Sequence, residues 1–248
     1  MRSLFFFSLV LTACSFQLGS STQGETGHAR FDYGSCLFGC KVDQAMMVGT
    51  SEVISVSSSS SSIPAVTVRS TDESVFTVGE ATRECCTPNA CRALTANIAC
   101  NSGETATLSI PVVAVGAGSA DLVLDQDAQT TFDSVTLSVA QPTSLAMTCG
   151  SSTTTDVAIV RGTSCALGWK ARDASGNVLM ATTGVTMSIS DATVADFSSG
   201  LLSTHESSIT ATQGLLGSSL NARSVGGAVI TANAPGGVTT QFGVAVTP

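Results

Sequence analysis

Charge and aromatic surface are both scarce in this chain. Of its 248 residues, 11% are Asp, Glu, Lys or Arg and 5% are aromatic, with one Trp, one Tyr and two His. Ordinary globular domains carry about 25% charged residues. The 10 Lys+Arg face 18 Asp+Glu and form no cluster, which excludes a nucleic-acid binder held by phosphate contacts. Catalytic signatures are missing as well: there is no His-Glu-x-x-His pair, no Gly-x-Ser-x-Gly elbow and no phosphate-cradling Gly loop ending in Lys. His28 and His205 lie in unrelated polar stretches, and Lys41 and Lys170 are the only amine side chains. Serines abound, but a nucleophilic Ser needs a positioned base. No catalytic role and no cofactor are expected; a hydrolase built on His205, or a redox enzyme, is the alternative that would need such groups to converge. Long hydrophobic runs are absent too. Nothing approaches the ~20 apolar residues of a spanning helix, and the mean hydropathy of +0.36 comes from scattered Val, Ala and Leu.

The N-terminus carries an address. Arg2 precedes the short apolar run Leu4-Phe5-Phe6-Phe7-Ser8-Leu9-Val10-Leu11, the anatomy of a secretory signal. The run closes on Leu11-Thr12-Ala13-Cys14, which resembles the bacterial lipobox. That resemblance implies cleavage of residues 1–13, acylation of Cys14, and anchoring to a membrane through several acyl chains, since one chain alone holds only marginally. An ordinary signal peptide with a chance Cys is the alternative. Ser15 follows the Cys; Asp there would favour inner-membrane retention in that family, so the outer membrane is the expected address. With Arg2 removed, 9 basic groups remain against 18 acidic ones, and lipid rather than charge must hold the protein to an anionic surface.

Eight further cysteines remain: Cys36, Cys40, Cys85, Cys86, Cys91, Cys100, Cys149 and Cys165. An even number in an exported chain predicts four disulfides. If domains fold as units, Cys149 pairs with Cys165, while the six from Cys36 to Cys100 allow fifteen pairings that sequence does not choose between. Adjacent Cys85 and Cys86 are expected to bond to different partners. The rival reading draws Cys36-x3-Cys40 with the Cys85/Cys86/Cys91/Cys100 group as a thiolate zinc site. No His accompanies them, no Cys-x2-Cys knuckle occurs, and export disfavours reduced thiols.

Residues 14–30 are polar and Gly/Ser-rich, which predicts a flexible tether. Period-two alternation then begins, broken by Gly, Asp, Asn and Pro every 8–12 residues, as in a sandwich or barrel. Ser134 to Val139 and Val185 to Ser190 alternate cleanly, and the last strand puts Phe242, Val244 and Val246 on one face. The chain also repeats itself. Ser70-Thr71-Asp72-Glu73-Ser74-Val75-Phe76 resembles Ile189-Ser190-Asp191-Ala192-Thr193-Val194-Ala195 at an offset of 119. Gly118-Ser119-Ala120-Asp121-Leu122-Val123-Leu124 resembles Gly227-Ala228-Val229-Ile230-Thr231-Ala232 at an offset of 109, read as a first copy about ten residues shorter between the blocks. The expected fold is all-β: two tandem immunoglobulin-like β-sandwiches, 31–140 with a Cys-rich insertion and 141–248, the seam falling near Gln141-Pro142-Thr143.

These blocks resemble those of the bacterial Ig-like domains of the Big-2 type, found in tandem on bacterial surface proteins. Trp169-Lys170-Ala171-Arg172-Asp173-Ala174-Ser175-Gly176-Asn177 resembles that family's early hairpin. The insertion from Glu80 to Cys100, and Cys149 with Cys165, depart from its pattern. Asp125 and Asp127, within the acidic group Asp121, Asp125, Asp127 and Asp133, are a weak Ca²⁺ candidate; a solvated loop is the plainer reading. Trp169 reads as core beside a disulfide rather than as a sugar platform. The run Ser57 to Ser62 reads as a loop. The expected role is a lipid-anchored, non-catalytic cell-envelope module that binds another envelope protein or a surface glycan, or acts as a spacer. Contacts are expected at the pre-ordered loops of the insertion. A carbohydrate-binding module is the alternative.

Overall fold

The computed structural model describes residues 21–34, 41–58, 63–87, 90–93, 100–150, 152–153, 156–181, 184–199, 206–211 and 218–248, and these contain strands, turns and no helix. The first half holds β1 (Thr22–Gln23), β2 (Ala29–Tyr33), β3 (Met46–Met47), β4 (Ser51–Ser58), β5 (Thr67–Ser70), β6 (Phe76–Val78), β7 (Thr82–Thr87), β8 (Ala90–Ala93), β9 (Thr105–Ala114), β10 (Gly118–Asp125) and β11 (Thr131–Ala140). The second holds β12 (Ser144–Cys149), β13 (Ser152–Thr153), β14 (Asp156–Val160), β15 (Ser164–Arg172), β16 (Val185–Ile189), β17 (Ala195–Ser199), β18 (Ser208–Ala211), β19 (Ser218–Ala222), β20 (Gly226–Asn233) and β21 (Thr239–Thr247).

Each half is a two-sheet sandwich of immunoglobulin-like kind. In the first, β1-β2-β4-β9-β7-β8, with β6 also on β9, faces β3-β11-β10-β5; in the second, β13-β12-β15-β19-β17 faces β14-β21-β20-β16-β18. Strict alternation drives the layering, because successive strand side chains point to opposite faces. Ile54 and Val56 of β4, Leu108 and Ile110 of β9, and Leu137 of β11 are all buried in one cluster. Trp169 of β15, Leu220 of β19, Ile230 of β20 and Phe242, Val244 and Val246 of β21 build the other. Each buried aliphatic side chain contributes about 1.5–3 kcal/mol.

The two halves share their wiring. A short strand pairs parallel with the final strand in each, β3 on β11 and β14 on β21. Asp72 Oδ1 accepts from Ser74 N (2.9 Å) and Ser74 Oγ (2.6 Å), and Asp191 Oδ1 accepts from Thr193 N (2.9 Å) and Thr193 Oγ1 (2.6 Å). The second repeat block needs correction by one residue. Gly118, paired with Val139 and packed under Val75, corresponds to Gly226, paired with Val246 and packed under Val194. A one-residue slip in a strand reverses every side chain, and this correspondence matches inward Ala120 with inward Ala228, each 6% exposed, where the other would match Ala120 with outward Val229. The length difference also runs the other way: 46 residues separate Asp72 from Gly118 and 35 separate Asp191 from Gly226. The longer first copy contains the β7–β8 hairpin.

The expected tether is shorter than residues 14–30. Thr22 and Gln23 pair with Phe31 and Arg30, so 22–30 belongs to the first sandwich. Its polar sequence conceals this, because a side chain far along the chain supplies the bonds that hold it: buried Asp133 accepts from Thr26 N (2.9 Å) and Ala29 N (2.6 Å).

Candidate functional site

The Cys-rich insertion is a hairpin fastened at its base. Cys85 of β7 is disulfide-bonded to Cys100, with Cα atoms 5.5 Å apart. Cys86 is also disulfide-bonded, and the hairpin register places it opposite Cys91. Neighbouring Cys85 and Cys86 therefore take different partners. Arg92 clamps Glu104 with Nε at 3.0 Å and Nη2 at 2.8 Å, while Asn101 N donates to the same carboxylate at 2.8 Å. That clamp holds the Glu104 carboxyl down at about 2. Glu104 lies close to the Cys85 and Cys100 sulfurs, but these are bonded to each other and offer no thiolate to a metal. In the second half, Cys149 and Cys165 form a disulfide joining adjacent strands β12 and β15, with Cα atoms 5.4 Å apart.

The acidic group does not converge. Asp125 pairs with Arg69 Nε (2.6 Å) and accepts from Thr131 Oγ1 (2.9 Å), while Asp127 caps its turn through Gln129 N (2.8 Å). Asp121 accepts from Thr136 Oγ1 (2.7 Å), and Asp133 faces the interior. Trp169 is 4% exposed and sits opposite Met147 on β12, inside the second core, with no partner for its Nε1 among the described residues. It offers no platform to a sugar. His28 sits edge-on to Phe132 with ring centroids 5.6 Å apart. The signal sequence, Cys14, Cys36, Cys40, residues 59–62 and His205 lie outside the described residues.

Among the described residues, the most developed contact surface is the seam between the sandwiches, of which the sequence shows only the linker Gln141-Pro142-Thr143. Met47 N donates to Met180 O (2.9 Å) and Met180 N to Ala45 O (2.8 Å), a parallel backbone bridge. Gln44 Nε2 donates to Val178 O (3.0 Å) and Gln141 Nε2 to Gly236 O (2.6 Å). The cores exchange side chains across it: Met47 belongs to the second cluster and Met180 to the first. Pro235 fills the space above Gly49, where a Cβ would come within 2.8 Å of the proline ring. Gly49 also has φ +81°, so glycine is required there twice over.

No protein-family model matches the chain, and no curated protein matches it. Solved structures to which the chain is similar include domains 4 and 5 of the S-layer protein SbsC, at 14% identity over 74% of this chain and 77% of that one, TM-score 0.30. The Yersinia pseudotuberculosis adhesin InvE shows 14% identity over 91% of this chain and 60% of that one, TM-score 0.34. The Escherichia coli adhesin FdeC shows 14% identity over 92% and 67%, TM-score 0.28. Likeness at this level says nothing of shared function.

Proposed function

We propose that this chain is a lipid-anchored protein of the bacterial cell envelope, acylated at Cys14 and delivered to the outer membrane. Its two Ig-like sandwiches, of the Big-2 type, then act as a non-catalytic spacer that presents a binding surface away from the bilayer to another envelope protein or a glycan. The observation that carries this reading is the seam. Backbone bridging and exchanged methionines join the two sandwiches, which supports one stiff unit rather than two beads on a string. The direction of the chain supports it too. The turn between β1 and β2 meets the first sandwich where β11 begins, through Glu25 N to Ser134 O (2.9 Å) and Thr26 Oγ1 to Phe132 O (2.8 Å). β11 then runs to the seam at Ala140, and β21 runs from the seam turn at Gly236 to Thr247 at the far end. An anchor at Cys14 would leave residues 15–21, at most about 25 Å of chain, between lipid and sandwich. The second sandwich then stands roughly 30–60 Å further out, from strand lengths of eight to ten residues.

The test uses intact cells treated with protease, comparing wild type with Cys14→Ala and following the second sandwich by antibody. Membrane retention that depends on Cys14, with loss of the second sandwich in intact wild-type cells, is the expected result. Protection until the outer membrane is opened would sink surface presentation, and retention without Cys14 would sink the lipid anchor.

A further inference from the structure

The seam has a counterpart at the opposite end of the second sandwich. In the first half β3 leads into Val48-Gly49-Thr50; in the second, β14 leads into Arg161-Gly162-Thr163, 113 residues later. The backbone there is reproduced bond for bond. Gly49 N donates to Ala114 O and Gly162 N to Ala222 O, both at 2.9 Å, and both glycines have φ +81°. Ala114 N donates to Thr50 O and Ala222 N to Thr163 O, again both at 2.9 Å. Thr50 Oγ1 donates to Met47 O at 2.7 Å and Thr163 Oγ1 to Val160 O at 2.6 Å. Met47 and Val160 therefore hold the same place.

Only the surroundings differ. Met47 is fully buried against the second sandwich, whereas Val160 is 51% exposed. A Cβ on Gly49 would strike Pro235, whereas one on Gly162 would meet nothing within 4 Å. Val225, 53% exposed, stands at the same end, since the next residue, Gly226, pairs with Val246, and Thr247 pairs with Val160.

We infer that this distal end is a docking face for the loop end of a further Ig-like sandwich, one whose Pro-Gly turn seats over Gly162 as Pro235-Gly236 seats over Gly49. The chain itself shows what covers this backbone when it is covered. A second copy of this chain fits less well, because the free end of its first sandwich presents Asp127-Ala128-Gln129-Thr130 where the second presents Ala234-Pro235-Gly236-Gly237. The inference names the partner class for the proposed binding surface but rests on the seam, not on acylation of Cys14, so the two tests fail independently.

The probe is the whole chain extended after Pro248 by a copy of residues 142–248, so that the copy's Pro-Gly turn faces Gly162. Hydrogen exchange over residues 159–163 is expected to slow at least about 10-fold relative to the natural chain. Val160→Asp in the extended chain is expected to abolish that slowing. An unchanged rate, whether the copy folds or stays unfolded, overturns the inference, as does slowing that survives Val160→Asp.

Discussion

Asp133 is fully buried, and its carboxylate accepts backbone N–H groups from Thr26, Ala29 and Ser134. Burial by itself would raise its pKa, but these bonds outweigh it and hold the group below its ordinary 3.8. A carboxyl whose pKa is lower folded than unfolded contributes stability fully present above the unfolded value and lost as pH falls through the folded one. Asp133→Asn is therefore expected to cost about 2–3 kcal/mol at neutral pH, by removing the charge and turning an amide donor toward N–H groups. It should also flatten the acid limb of stability below pH 4, read by denaturant melts across pH; an unchanged limb would contradict this assignment. Asp133 was legible in part. The alternation Asp133, Val135, Leu137, Val139 puts it on the inner face, yet grouping it by charge with Asp125 and Asp127 concealed that. Nothing local in 22–30 announces its strands, because the carboxylate that holds their turn, Asp133, lies about a hundred residues away.

At the scale of elements, Gly49 and Gly162 form a matched pair. Both require a left-handed backbone, so alanine at either incurs the same penalty of about 1–2 kcal/mol. Only Gly49→Ala also collides with Pro235. Gly49→Ala is expected to lower the melting temperature clearly more than Gly162→Ala; equal effects would mean the proline contact contributes nothing. The Cys149–Cys165 bridge is the other element-scale device. Replacing both residues with Ser is expected to cost about 3 kcal/mol, as closure of a loop of this length predicts. Strands with clean period two, such as Val185 to Ile189, were readable because each buries one face. The seam was not, since Gln44 to Thr50 has no period and owes its apolar residues to a surface that exists only once both sandwiches have formed. The recurrence of Gly-Thr at 49–50 and 162–163 was the available signal.

At the scale of the whole molecule, the proposed spacer is one stiff rod of two sandwiches, with the β1–β2 turn near one end and Val160 at the other. Tandem domains within one chain ordinarily move against each other unless their interface is substantial. Here two backbone bonds, two side-chain bonds and the interchanged Met47 and Met180 oppose that motion. Opening the seam with Met47→Asp should uncouple the halves while leaving each folded, visible as a broader distribution of dimensions in solution scattering. The most direct measurement is residual dipolar couplings for backbone amides of both sandwiches in the natural chain. A single alignment tensor that fits both halves, in the relative orientation given by the Met47–Met180 bridge, is the predicted result. Two tensors of different magnitude would mean that the halves move independently, and the rigid-spacer account would then be wrong.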